Sequence, residues 1–371
     1  MRIAINCRSF SKKNYTGIGR YAFNLVDCLA KMDKENEYYL YARKSGFFDF
    51  KRKLPQFSAK NFYRQIDYSG KGLGPLLKKV DLYHSPSLDF LPETETKIVV
   101  TVHDLIYKAC SNVHTPDSLE IFESQFQQIT AKAAKVICCS ENTRKDLHRF
   151  FSIDENKTCV VYNGVDKSQF YPLSDEEKKQ AASLLGKKGI EGPFILFVGT
   201  VEPRKNLKNL IKAFKDLKKK KKFSGKLVVC GMKGWMTKDI EEEIRKENLS
   251  DDILRLGYVS NLELRCLYNL AEVFVFSSFY EGFGFPILEA FSCGCAVVTS
   301  NTSSCVEIAS DAALTVSPSS WEEIARGIEK IREDGQFKSA LQQKALKRAD
   351  DFSFAKTAQQ TLNVYQEVVN K

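Results

Sequence analysis

Short runs rich in valine, isoleucine and aromatic residues alternate with amphipathic helical patterns along this chain, and the cycle is run through twice. "RIAINC", "YYLYA", "DLYHSPS", "KIVVTVHD" and "KVICCS" read as strands, with "GRYAFNLVDCLAKM" and "LEIFESQFQQITAKAA" as helices between them. After "CVVYNGVD" the cycle restarts with "FILFVGT", "KNLIKAFKDLK", "KLVVCG", "DIEEEIRKEN", "ILRLGYV", "ELRCLYNLA", "VFVFSS", "ILEAFSCG" and "AVVTS". Near-continuous apolar strands separated by helices belong to parallel sheets covered on both faces. Two cycles predict an α/β chain of two Rossmann-like domains, joined within residues 163–179, "NGVDKSQFYPLSDEEKK", where a turn, a proline and a charged helix start follow one another. Ligands of such sheets bind at the carboxyl ends of the strands, so the expected site is the cleft between two facing sheets.

The chain has 371 residues, of which 43% are hydrophobic, enough for two cores. No apolar run approaches the roughly 18–20 residues of a membrane span. "MRIAINC" reads as a buried strand and not as a signal peptide. The 11 cysteines form no C-x-x-C pair, and several sit inside apolar runs (Cys138, Cys139, Cys230, Cys293, Cys295). Reduced, buried thiols and a cytoplasmic location are expected. The net charge of +10 suits anionic partners, although solubility alone also accounts for it. The run Lys218–Lys222 reads as a solvated helix end, because lysines there suit the macrodipole and no aromatic side chains interleave for nucleic acid. The basic, aromatic stretch "KRKLPQFSAKNFYRQ" suits peripheral contact with an anionic membrane surface.

"YEGFGFPILEAFSCGC" poses the chemical question. Glu281 and Glu289 lie eight positions apart in an apolar stretch with no basic neighbour, which is costly unless something pairs with them. Pro286 suits the first turn of a helix, so the N–H groups of Gly282, Phe283, Gly284 and Phe285 would point at a ligand. Sugar hydroxyls would then be the carboxylates' partners, since one carboxylate accepts from two of them. In "FVGTVEPRKNLKNLI", Arg204 and Lys205 fall between a buried strand and a helix, a place that suits an anion and equally suits ordinary surface charge. In "NYTGIGRYAFNL", Gly17 and Gly19 would admit a ligand close to the backbone, or simply make a turn. The four histidines, His84, His103, His114 and His148, have no zinc-like spacing. His103 directly follows "KIVVTV" and is read as functional; His84 follows "DLY" in the same kind of place. Either ring could instead cap its strand.

Taken together, "FVGTVEPRKNLKNLI", "LGYVSNLELRCLYNLAEVFVFSSFYEGFGFPILEAFSCGCAVVTSN" and "VEIASDAALTVSP" resemble the retaining glycosyltransferases of GT-B fold, family four. Within that family "GTVEPRKN" and "EGFGFP" are most similar to bacterial mannosyltransferases that use GDP-mannose in polysaccharide assembly. The resemblance implies an acceptor-binding domain over 1–170, with a final helix, 352–371, crossing back to it, and a donor-binding domain over 171–351. It implies that Arg204 and Lys205 bind the donor diphosphate, that Glu281 meets the donor sugar, that Gly282 to Phe285 support sugar and phosphate, and that Glu289 holds the ribose. It places Gly257, Tyr258 and Val259 at the base, Gly17, Gly19 and Arg20 near phosphate and acceptor, and His103 near the transferred sugar. Thr200 stands where many members carry an arginine after the glycine, which leaves Arg204 to serve. No cofactor or metal is expected, and the expected partners are a nucleotide-sugar donor and a saccharide or lipid-linked acceptor, without nucleic acid. A GT-B sugar-nucleotide epimerase and a non-catalytic nucleotide-sugar-binding subunit are the competing readings.

Overall fold

The computed structural model describes residues 1–11, 17–43, 54–89, 91–110, 116–232, 234, 242 and 244–371. They form two units, Met1–Gly164 with Ser353–Lys371, and Val165–Phe352.

Among the described residues the first unit holds a seven-stranded sheet of β1 (Arg2–Asn6), β2 (Glu37–Arg43), β3 (Phe62–Asp67), β4 (Leu82–Ser85), β5 (Lys97–Val102), β6 (Lys135–Cys138) and β7 (Thr158–Val160). The second holds a six-stranded sheet of β8 (Phe194–Val198), β9 (Lys226–Cys230), β10 (Ile253–Gly257), β11 (Val273–Phe276), β12 (Val297–Ser300) and β13 (Leu314–Val316). All pairings are parallel. The orders are β3-β2-β1-β4-β5-β6-β7 and β10-β9-β8-β11-β12-β13. Each sheet therefore grows outward from its first strand in one direction, then reverses. The reversal falls between β1 and β4 in one unit and between β8 and β11 in the other, and such switch points leave a crevice at the strands' carboxyl ends.

The apolar runs become these strands because both faces are covered. Every residue of "VFVF" in β11 is buried, as are Phe194 to Phe197 of β8. Beneath the second sheet, the Leu207–Lys219 helix turns Leu207, Leu210, Ile211, Phe214 and Leu217 inward at helical spacing. The expected strands all form. Three strands were missed: the edge strand β3, "FYRQID", with one buried residue in six, and the three-residue strands β7 and β13, too short to carry an apolar signal. The "DIEEEIRKEN" pattern lies largely outside the described residues. The lysine run closes the Leu207–Lys219 helix, with Lys218 on Asp252 at 2.7 Å and Lys222 on Glu329 and Glu333, each at 2.9 Å. No cysteine forms a disulfide. No described helix is long and apolar enough to cross a membrane.

The Phe354–Asn370 helix belongs to the first unit. Tyr365 on it is fully buried and hydrogen-bonds His84 Nδ1 at 2.6 Å. Lys97 donates to the carbonyls of Val368 and Val369 at 3.0 and 3.3 Å, satisfying acceptors that the helix end leaves open.

Candidate active site

The two loops that leave the second unit's switch point carry the charged residues. After β8 the chain runs through Gly199 into a turn at Pro203–Lys205. Asn206 then takes a left-handed conformation (φ 61°) and starts the Leu207–Lys219 helix. Its amide donates to the carbonyls of Ser277 at 2.9 Å and Pro318 at 2.7 Å, which ties this loop to the end of β11. The loop after β11 is held from the same side, since Phe279 N–H donates to the Arg204 carbonyl at 2.9 Å.

This stitching brings Glu281 onto the basic pair. Lys205 Nζ lies 2.6 Å from Glu281 Oε1, and Arg204 Nη1 lies 2.8 Å from Oε2. Arg204 also donates to the Tyr280 carbonyl at 2.9 Å and reaches Glu202 at 2.6 Å. The side chains of Arg204, Lys205, Glu202 and Glu281 are 16%, 12%, 7% and 10% exposed, so solvent screens them weakly. Burial alone would raise the Glu281 pKa. The charges of Lys205 and Arg204 outweigh it and hold the carboxyl below its ordinary range. The expectation that Glu281 lacks a basic partner is thus corrected: its partners lie 76 or more positions away in sequence and adjacent in space. The Glu281 backbone is fixed as well. Its N–H donates to Ser303 Oγ at 3.0 Å, and Ser304 Oγ donates to its carbonyl at 2.8 Å. Ser303 itself sits at φ 52°, a conformation that costs energy for a residue with a Cβ.

Gly282, Phe283 and Gly284 follow as buried backbone, and Gly284 turns the chain into the Phe285–Ser292 helix at φ 105°, where only glycine is at ease. Phe285 opens that helix with Pro286 in its first turn. Glu289 lies on it, 3% exposed, accepting from Tyr268 Oη at 3.2 Å. Gly257, Tyr258 and Val259 lie at the carboxyl end of β10, the edge strand, with Tyr258 73% exposed. The structure therefore brings Arg204, Lys205 and Glu281 into direct contact. It places Gly282–Phe285 and Glu289 in the loop and helix after β11, and Gly257–Val259 at the carboxyl end of the edge strand β10 of the same sheet.

The remaining candidates belong to the first unit. Gly17, Gly19 and Arg20 form the opening turn of the Gly17–Met32 helix. His103 follows β5 and is buried, and its Nε2 faces the Pro86 carbonyl at 2.9 Å. A carbonyl only accepts, so Nε2 carries the proton and Nδ1 is the open lone pair of the neutral ring. Burial lowers the His103 pKa, opposed by the Pro86 bond and Asp104, and so favours that neutral form. The ring packs edge-on against Tyr21 at 4.8 Å. His84 is different. Fully buried between Tyr365 and Thr101 (2.9 Å), it joins β4, β5 and the Phe354–Asn370 helix as a structural bridge. His148 bonds Thr158 at 2.9 Å, and His114 lies outside the described residues.

Glu202, Asn206, Ser303 and Ser304 were missed in the sequence. Glu202 was legible as a carboxylate two residues from Arg204, and "TSNTSSC" as a hydroxyl-rich run directly after a buried strand.

Solved structures that share this architecture include glycosyltransferases. The sucrose-phosphate synthase of Thermosynechococcus elongatus superposes with a TM-score of 0.78 at 20% identity, over 99% of this chain and 98% of that one. Anabaena HepE in complex with UDP-glucose gives 0.73 at 17% identity, over 99% and 100%. Residues 179–348 match the glycosyl transferases group 1 family, and residues 15–169 match glycosyltransferase family 4. The O-antigen chain mannosyltransferase B of Escherichia coli is 30% identical over 374 residues, covering 94% of this chain and 96% of that protein. The chain belongs to the group 1 glycosyltransferases of GT-B fold.

Proposed function

We propose that this glycosyltransferase moves mannose from GDP-mannose onto a saccharide or lipid-linked acceptor, with retention at the anomeric carbon and without a metal ion. The observation that carries the reading is the buried Arg204–Lys205–Glu281 cluster at the switch point: cations for a diphosphate beside a carboxylate for sugar hydroxyls. Similarity to the Escherichia coli mannosyltransferase supports mannose as the sugar, and the UDP-glucose held by Anabaena HepE supports a nucleotide-diphosphate sugar as donor class.

In this reading the acceptor oxygen bonds to the anomeric carbon on the face the diphosphate leaves. The bond from that carbon to the phosphate oxygen breaks, and the acceptor's proton passes to the departing phosphate. Lys205 and Arg204 face the negative charge that grows there, as oriented donors do at a developing oxyanion. Gly282–Phe285 support sugar and phosphate, Gly257–Val259 flank the base, and Gly17, Gly19, Arg20 and neutral His103 serve the acceptor side and the transferred sugar. Peripheral contact with an anionic membrane would bring in a lipid-linked acceptor.

Calorimetry with GDP-mannose, UDP-glucose and dTDP-rhamnose tests the donor, and NMR of the product of a lipid-linked acceptor tests the anomer. Tight binding of GDP-mannose and an α-linked product are expected. Preference for another donor, or a β-linked product, overturns the reading.

Glu289→Ala gives a narrower check. If Glu289 holds the ribose hydroxyls, losing charge-assisted hydrogen bonds should weaken binding of the free nucleoside diphosphate by about 1.5–3 kcal/mol. Unchanged affinity would assign Glu289 to a structural role.

A further inference from the structure

Arg204 and Lys205 face Glu202 and Glu281, and these four charges sum to zero. A diphosphate entering the cluster as it stands would meet two carboxylates and no uncommitted positive charge. The two cations are not held alike. Arg204 binds Glu202 through Nη2 at 2.6 Å and the Tyr280 carbonyl and Glu281 through Nη1 at 2.9 and 2.8 Å. A planar guanidinium gripped from both ends cannot turn without breaking several bonds at once. Lys205 meets Glu281 at one oxygen, 2.6 Å away, through a flexible four-carbon stem whose ammonium carries three rotatable donors.

We propose that Glu202 fixes Arg204 as a clamp on the Tyr280–Glu281 loop, while Lys205 is the exchangeable cation, held by Glu281 in the empty site and passed to the donor's diphosphate. Glu281 is then a placeholder for the anion. It stays ionised through neutral pH, so it competes for Lys205 under working conditions. When Lys205 leaves, Glu281 keeps Arg204 and is not stranded as a buried, unpaired charge. The oxygen that Lys205 releases, Oε1, becomes free to accept from the sugar. Diphosphate and sugar are thereby recognised in one exchange.

This rests on reading the cluster as a nucleotide-diphosphate sugar site, and the test separates the two claims. Calorimetry is done with GDP, UDP and ADP. Lys205→Met should weaken binding of the preferred diphosphate about tenfold or more. Glu281→Gln should tighten it about tenfold, the scale of one charge-assisted hydrogen bond no longer competed for. That gain should persist in a Glu202→Gln background and vanish in a Lys205→Met background, because only Lys205 changes hands. Should Glu281→Gln not fold, Glu281→Asp draws the carboxylate back by one methylene and should show a smaller gain. Equal or weaker binding by Glu281→Gln, with Lys205→Met still damaging, overturns the exchange and leaves the site reading standing. So does a gain that survives the loss of Lys205. Absence of binding by wild type and Glu281→Gln alike, for all three diphosphates, sinks both.

Discussion

Lys205→Met is expected to lower turnover by about 10²–10³-fold, the effect of deleting one oriented donor at a site of developing charge. The substitution keeps the length of the stem and removes only the ammonium, which lies 5.0 Å from the centre of the Phe276 ring, so packing changes little. Glu281 retains Arg204 at 2.8 Å, which leaves no buried carboxylate without a cation. Alanine at Arg204 would be a poorer experiment, because Glu202 would then lose the partner at 2.6 Å that balances its burial. The loss should appear in kcat with the circular dichroism of the folded protein unchanged. If the protein supplies the countercharge, wild-type activity should also survive excess EDTA. A Lys205→Met enzyme that turns over at the wild-type rate would remove Lys205 from the chemistry. Activity abolished by EDTA and restored by manganese or magnesium would transfer its role to a metal.

Acid should destabilise the first unit through His84 before most carboxylates titrate. Burial, with a smaller contribution from His103, pushes the His84 pKa down to about 3. The unfolded chain protonates this ring near its ordinary value of about 6.5. Below that value the unfolded state binds one more proton than the folded one, so stability falls as pH falls, and the loss levels off near pH 3. Each such proton contributes about 1.4 kcal/mol per pH unit, which makes His84 worth about 2 kcal/mol between pH 6.5 and 5. The lowered pKa of buried His103 acts in the same direction. Urea-unfolding midpoints of wild type and His84→Gln, compared across that range, read the effect directly. The variant retains a polar side chain for Thr101 and Tyr365 but should lose one proton's worth of pH dependence. Identical slopes for the two proteins would show that the ring is not held neutral.

What the sequence disclosed and withheld follows from how far a signal reaches along the chain. β5 and β11 were legible because "KIVVTV" and "VFVF" are buried on both faces and say so locally. β3 was not, because "FYRQID" at a sheet edge buries only one residue fully, and its strand character comes from its pairing with β2. Arg204, Lys205, Glu281 and Glu289 were each legible from residue type, and Gly284 from its place before a proline-started helix. What a linear reading could not supply was the pairing of Glu281 with Arg204 and Lys205. Those residues meet because the strand order sets β8 beside β11, although β9 and β10 separate them in sequence. His84 and His103 occupied the same kind of place on paper, each after a strand. The Tyr365 hydroxyl, 281 positions from His84, makes that ring structural.

The return of Ser353–Lys371 to the first unit has a consequence for synthesis. Domains fold largely as units while the chain emerges from the ribosome. Here Val165–Phe352 is contiguous and can close its own core as soon as it has emerged. The first unit is started earlier and finished later. Until the Phe354–Asn370 helix has been made, His84 has no Tyr365, and Lys97 and Lys135 have neither the carbonyls of Val368 and Val369 nor Glu367. The unit that is translated first must wait, without its last helix, through the birth of an entire second domain.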